Sequence, residues 1–144
     1  MKTRKNALRI IALALCVMLV LPALASCKGG VKLSEAKELA AQFVTLLGDG
    51  EYEEAEALLH PSRPADLAQF AEAIEADGGI VFGDGAEIER FTNFSTALYE
   101  SEVGGALCSL SFTGTAGGDE IHGSIEIVRN GDGYGIYNFT IAKD

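Results

Sequence analysis

Histidine is the side chain best suited to proton transfer near neutral pH, and this 144-residue chain has two, His60 and His122. His60 stands directly before Pro61, where a helix must end because a proline pushes the preceding residue out of helical geometry. There it could act as a general base or as a ligand. It could also place an imidazole against the negative end of the helix dipole, and we favour this structural interpretation.

His122 and Glu126 suggest an acid–base pair, but their spacing argues against one. Residues four apart in an extended strand lie ~13 Å from each other, beyond hydrogen-bond reach. The same segment alternates the apolar Ile121, Ile125 and Ile127 with these polar residues. We therefore predict that His122 and Glu126 face away from the core, in a solvated or dimer-facing row.

Cys108 is the third candidate for chemistry. It shares the parity of the apolar residues in its segment, and no neighbouring base is present to activate a thiolate. We interpret it as a small buried hydrophobic residue.

The sequence contains no spacing typical of a metal or cofactor site. Two distant histidines without a cysteine pair do not match a zinc motif, and Glu120 and Asp132 lack the carboxylate density of a calcium loop. Residues 78–85 read GGIVFGDG, but the lysine of a phosphate-binding loop does not follow them. We expect no metal and no cofactor, and we interpret this stretch as a connector.

The N-terminus has three consecutive features of an export signal. Four basic residues come first, at positions 2, 4, 5 and 9, and an uncharged apolar run of 12 residues follows from Ile10 to Leu21. A helix of that length rises roughly 18 Å, too little for a ~30 Å hydrocarbon core. The sequence Leu-Ala-Ser-Cys at positions 24–27 comes shortly after Pro22.

This layout resembles a bacterial lipoprotein signal peptide. The resemblance implies that residues 1–26 are removed, that Cys27 is lipidated, and that the protein is exported and anchored to the bacterial membrane at the cell surface. The alternative is ordinary cleavage after Ala25, because Ala23-Leu24-Ala25 fits the small-x-small rule and would release a soluble protein beginning at Ser26. If Cys27 carries lipid, Cys108 remains alone and no internal disulfide forms.

Removal of residues 1–26 makes the protein strongly acidic. All 21 acidic residues remain beside seven basic ones, so the formal net charge changes from −10 to −14. Such a polyanion repels phosphate backbones, and we expect no nucleic-acid binding. Repulsion from anionic headgroups should also hold the body of the protein off the membrane. We favour plain solubility over recognition of a basic partner as the reason for this charge.

The pattern of residues 27–144 predicts one α+β domain at residues 34–144. A short tether at residues 27–33, which reaches only ~20 Å, precedes it. A first helix has Ser34 as its N-cap and an apolar face spaced i, i+3 and i+4. A second helix spans residues 51–59. A third has Pro64 in its first turn and ends at Gly78-Gly79.

Period-two alternation then predicts antiparallel strands at residues 106–113, 121–127 and 134–142, with a hairpin turn at residues 130–133. An earlier strand, at residues 87–99, should contain a bulge or a bend because Phe91 and Phe94 have opposite parity. In the last strand, we predict that Tyr137, Phe139 and Ile141 face the core opposite Ile125 and Ile127, and that Tyr134 points the other way.

The chain also resembles small exported lipoprotein domains of the NTF2-like family. The likeness lies in residues 43–47 (FVTLL), 50–55 (GEYEEA), 58–61 (LLHP) and the closing strand at 133–139 (GYGIYNF). It implies N-terminal helices packed on one face of a curved antiparallel sheet, with a cone-shaped pocket between them. Residues that could line such a pocket are Tyr52, His60, Asp66, Tyr99 and Tyr137.

A tyrosine and aspartate pair resembles the catalytic groups of ketosteroid-isomerase-like members of that family. No motif maps onto this chain residue by residue, so no catalytic residue is assigned. We expect a non-enzymatic binding or interaction module with an unknown protein or small-molecule partner, and homodimer formation remains open. The alternative is a small pocket enzyme of the isomerase or cyclase type.

Overall fold

The computed structural model describes residues 30–143, except the side chain of Tyr99. The predicted signal peptide and Cys27 lie outside the described residues. Within residues 30–143, three helices precede four strands: α1 (Leu33–Asp49), α2 (Tyr52–Glu56), α3 (Leu67–Gly78), β1 (Ala86–Glu100), β2 (Gly105–Ala116), β3 (Asp119–Asn130) and β4 (Gly133–Lys143). The helices pack on one face of a curved, unclosed antiparallel sheet, which confirms the predicted α+β class.

The strands follow one another in the sheet in chain order, so the sheet is a meander with β1 and β4 at its edges. β2 alternates strictly, and Leu110 lies opposite Ile125 of β3. β1 bends through three register shifts. One of them lies between Phe91 and Asn93, so Phe91 and Phe94 both fall on the helix-facing side despite their opposite parity. The predicted bulge is confirmed.

Aromatic rings fill the space between the helices and the sheet. Phe139 of β4 meets Phe43 of α1 and Phe70 of α3, with ring centroids 5.0 Å and 4.9 Å apart. At its C-terminal end, α1 approaches β1 so closely that a Cβ at Gly48 would collide with the backbone of Ala86. Within residues 30–143, no helix has both the length and the apolarity that crossing a membrane requires.

The helix ends differ from the predictions. The backbone is already helical at Leu33, where Ala36 N donates to Lys32 O at 2.9 Å, so Ser34 is not the N-cap. The second helix ends at Glu56 because the chain then extends to form a parallel bridge between Leu59 and Ile136 of β4. α3 ends before Gly79 as predicted, but it begins at Leu67, so Pro64 lies outside its first turn.

The predicted faces of β4 are partly wrong. Phe139 lies opposite Ile125 as expected, but a register shift beside Glu126 places Ile136, and not Tyr137, opposite Ile127. The shift also puts Tyr134 opposite Arg129, on the side of the core. A bulge inserts one extra residue and so reverses the parity of everything before it, which alternation alone did not reveal.

Candidate functional site

His60 is fully buried in the loop that follows α2, and both of its ring nitrogens are hydrogen-bonded. Ser62 N donates to Nδ1 at 3.1 Å, which makes Nδ1 an acceptor and leaves the proton on Nε2. Nε2 then donates to Asn130 Oδ1 at 3.0 Å. Because both ring nitrogens are hydrogen-bonded, the imidazole has a structural role. It connects its loop to the β3–β4 hairpin and does not act on a helix dipole.

Asn130 is the centre of this arrangement. Its Oδ1 also accepts from the backbone N–H groups of Asp132 and Gly133, at 2.9 Å and 3.2 Å, and its Nδ2 donates to Val103 O at 2.7 Å. One amide therefore joins the loop after α2, the β1–β2 loop and the hairpin turn.

Tyr137 lies beside this cluster, at the outer edge of the sheet. The centroid of the Tyr137 ring is 5.5 Å from that of His60. The Arg63 guanidinium lies 4.5 Å from the same Tyr137 centroid. Tyr137 and His60, both predicted as possible pocket residues, thus contact each other, and the contact is a packing contact between a ring and a satisfied imidazole.

Tyr52 and Asp66 lie together elsewhere, in an open groove of about 860 Å³ between α2 and the start of α3. Asp66 is exposed, and its Oδ1 accepts from Gln69 N at 2.9 Å as the N-cap of α3. Glu56 Oε1 accepts from Leu67 N at 2.9 Å in the same turn. The groove is also lined by the carboxylates of Glu51, Glu53 and Glu54.

The five predicted pocket residues thus divide between two places. The lining of the groove contains Tyr52 and Asp66 but neither His60 nor Tyr137, and the side chain of Tyr99 is outside the described residues. The space between helices and sheet, where the family resemblance implied a pocket, holds the Phe43, Phe70 and Phe139 rings instead.

A cluster that sequence reasoning missed lies between α1 and the hairpin. Arg129 Nη2 is 3.3 Å from Glu35 Oε2, and the guanidinium lies 4.5 Å from the centroid of the Tyr134 ring. The Tyr134 hydroxyl is buried with no hydrogen-bond partner among the described residues. Burial raises the pKa of Tyr134, and the nearby Arg129 cation partly opposes that rise. Arg129 shares the parity of Ile125 and Ile127, which was the available signal.

Cys108 is buried and free, and burial raises the pKa of its thiol, so the reactive thiolate is disfavoured. On the opposite face of the sheet, His122 is exposed, which confirms that this row faces away from the core. That open face is rich in hydroxyl groups, and Ser124 Oγ lies 2.9 Å from Thr140 Oγ1.

No family model matches this chain. No curated protein matches it significantly either. Within the described part of the chain, no group of three or more His, Cys, Asp or Glu side chains could hold a metal ion.

Proposed function

We propose that this chain is an exported bacterial lipoprotein, anchored to the membrane of the cell envelope by lipid on Cys27. Its domain would act as a non-enzymatic binding or interaction module. The observation that carries the proposal is the N-terminal order of four basic residues, 12 apolar residues and Leu24-Ala25-Ser26-Cys27. A lipidated cysteine with two or more acyl chains gives the firm membrane retention that a single chain does not.

The chemistry of the described side chains supports a non-enzymatic role. A general base or nucleophile must offer a free lone pair to a substrate. His60 is fully buried with both ring nitrogens engaged, and Cys108 is a buried thiol. These residues stabilise the fold, which is reason enough for their presence.

The partner is a protein or a small molecule of unknown identity, or a second copy of the chain. The net charge of −14 for residues 27–144 disfavours nucleic acids. The open hydroxyl-rich face of the sheet and the acidic groove are the two polar surfaces on which a partner would bind.

One observation favours the alternative of a small pocket enzyme: Tyr52 and Asp66 line the same groove. The variant Asp66→Asn tests it, since asparagine is as good an N-cap as aspartate but cannot act as a carboxylate base. Wild type and variant would be incubated with a metabolite extract and compared by mass spectrometry. Turnover by the wild type that is lost in Asp66→Asn would support the enzyme, and no turnover by either supports the binding module.

The anchor is tested by metabolic labelling with a fatty acid. Cys27→Ala should abolish labelling and block lipoprotein-type cleavage before residue 27, so that the precursor accumulates. Cys16→Ala is the matched control, because Cys16 lies in the apolar run and should be removed with the signal. Labelling that survives in Cys27→Ala, or release of a soluble protein beginning at Ser26 from the wild type, would contradict the proposal.

A further inference from the structure

Two large apolar side chains on β1 are exposed to solvent. Phe94 is 56% exposed and Leu98 is 64% exposed. They are the exposed large apolar side chains among the described residues. They lie four residues apart in β1, Phe94 beside Lys37 of α1 and Leu98 beside Gly30, and a register shift begins between them after Ala97. We call this pair the apolar strip. It lies on an edge strand of the sheet, where nothing described covers it.

The apolar strip lies where the predicted lipid anchor meets the domain. Leu98 contacts Gly30, the first described residue, so closely that a Cβ at Gly30 would collide with Leu98 Cδ2. Gly30 follows Cys27 by three residues, which span at most ~11 Å of extended chain. A lipid on Cys27 therefore holds Leu98 within a short distance of the bilayer surface.

One cation, Lys37, lies beside the apolar strip in a chain that is acidic as a whole. Lys28, Lys32 and Lys37 are three of the seven basic residues that follow Cys27. Lys37 Nζ lies 5.4 Å from the centroid of Phe91 and 5.8 Å from that of Phe94. A lysine stem along apolar surface with its ammonium group at the rim is the arrangement that suits a lipid headgroup region.

Acidic residues are present in the same segments, among them the exposed Glu38 next to Lys37. Glu35 is the first acid after Cys27, and it is paired with Lys32 at 3.1 Å and with Arg129 at 3.3 Å. Glu100 at the end of β1 and Glu102 in the β1–β2 connection limit how deeply this end enters a membrane. The balance therefore fits contact with the headgroup region and not insertion into the hydrocarbon.

We propose that the apolar strip and Lys37 form a membrane-facing surface, through which the domain lies against the bilayer that holds the Cys27 lipid. This inference rests on the proposed lipoprotein function. Two exposed side chains are too small an area for a stable protein interface. A tethered domain needs only a weak surface contact, because the anchor makes that contact intramolecular. The acidic remainder, repelled by anionic headgroups, then faces away from the membrane.

The chain contains no tryptophan, so a single introduced tryptophan reports on its own position. Leu98→Trp and Phe94→Trp place the probe in the apolar strip. Ala142→Trp is the matched control, since Ala142 is exposed near the end of β4, the opposite edge strand. The full lipidated chain would be reconstituted into phosphatidylcholine vesicles that contain some phosphatidylglycerol, with and without brominated acyl chains. Urea unfolding would verify that each variant is folded.

We expect blue-shifted emission and strong quenching by brominated lipid for Leu98→Trp and Phe94→Trp, and neither effect for Ala142→Trp. Adding Lys32→Glu and Lys37→Glu to Leu98→Trp should weaken the quenching. If the protein floats with the vesicles but brominated lipid does not quench Leu98→Trp, the inference is wrong. This holds also if aqueous iodide fails to quench the same probe, since a protein or the tether then covers it. Equal quenching at all three positions would also overturn it. Protein that carries no lipid and does not float would instead contradict the proposed function.

Discussion

Asn130 shows how much of this fold depends on single polar side chains. Its amide accepts from His60, Asp132 and Gly133 and donates to Val103 O. A buried donor or acceptor that loses its partner costs about 1–3 kcal/mol, so each of these bonds constrains the others. The sequence identified residues 130–133 as a turn from composition alone. It could not identify the hydrogen bond between His60 and Asn130, which we call the clamp, because the two residues are 70 positions apart.

Asp66 provides the first prediction at this scale. Asp66→Ala removes the bond to Gln69 N and should lower the free energy of unfolding by ~1 kcal/mol, the usual cost of losing an N-cap. Asp66→Asn should cost much less. Asp77→Ala, near the C-terminal end of α3, is the control and should be neutral or slightly stabilising because a negative charge there opposes the helix dipole. Urea unfolding measures all three. A large loss in Asp66→Asn would show that the carboxylate does more than cap the helix.

Tyr134 provides the second prediction, through pH. Burial raises its pKa above the ordinary value of 10.0 in the folded protein. The stability that follows from this is fully present below about pH 10 and is lost as the pH rises through the folded pKa, because the unfolded chain ionises first. Tyr134→Phe should therefore flatten part of the alkaline decline in stability. It should cost little at neutral pH, since the hydroxyl accepts and donates no hydrogen bond within the described residues.

The measurement for Tyr134 is urea unfolding from roughly pH 8 to pH 11. Tyr137→Phe is the control and should keep the alkaline decline. Some decline should persist in Tyr134→Phe, since burial also raises the pKa of Cys108. An unchanged profile in Tyr134→Phe would mean that the phenol is solvated.

At the scale of elements, the outer edge of β4 is covered by the chain that follows α2. His60 N donates to Ile136 O at 2.8 Å, and Ile136 N donates to Leu58 O at 2.9 Å. These bonds satisfy part of an exposed strand edge, which would otherwise be free to pair with another chain. Gly135 permits the contact, because a Cβ there would approach His60 N to 2.7 Å.

The elements themselves were predictable from periodicity, and their irregularities were predictable only in part. Strict alternation in β2 and the i, i+3, i+4 pattern in α1 identified both. The bulge in β1 was visible because Phe91 and Phe94 are both aromatic and differ in parity. The bulge in β4 was not visible, since Ile136 and Tyr137 are adjacent and apolar, and either could face the core. Its position follows from pairing with Ile127 across the hairpin and with Leu59, and the Leu59 contact is distant in sequence.

The bulge in β4 leads to a ranked prediction. Phe139→Ala should cost ~3–5 kcal/mol, because it removes a ring packed against Phe43 and Phe70. Tyr134→Ala should cost less than this but more than Tyr137→Ala, since Tyr134 packs against the core and Tyr137 lies at the sheet edge beside Arg63. The free energies of unfolding in urea give the order. A smaller loss for Tyr134→Ala than for Tyr137→Ala would place the bulge elsewhere.

At the scale of the whole molecule, the candidate site was less predictable than the fold. Tyr52, His60, Asp66 and Tyr137 were selected for residue type, but their positions depend on how the loops around α2 close. The structure assigns His60 to a clamp and Asp66 to a cap, two roles that polar residues of these types fill in many proteins. The proposed N-terminal signal, in contrast, is a linear pattern, and proposing it needs no tertiary structure.

The acidity of the molecule leads to the last prediction. Residues 27–144 carry a net charge of −14, and self-repulsion of this kind destabilises a compact state. Sodium chloride should raise the free energy of unfolding on the order of 1 kcal/mol, mostly below about 0.2 M, where the Debye length falls to roughly 7–8 Å. A gain that grows steadily to molar salt would instead indicate strengthened apolar burial.

The double variant Glu53→Gln and Glu54→Gln removes two exposed carboxylates from the acidic groove and should reduce the gain in stability below about 0.2 M salt. Thr45→Ala, an exposed neutral change on α1, should leave it unaltered. Urea unfolding at a series of salt concentrations distinguishes these outcomes, and a stability that falls as salt is added would show that attractive ion pairs outweigh the repulsion.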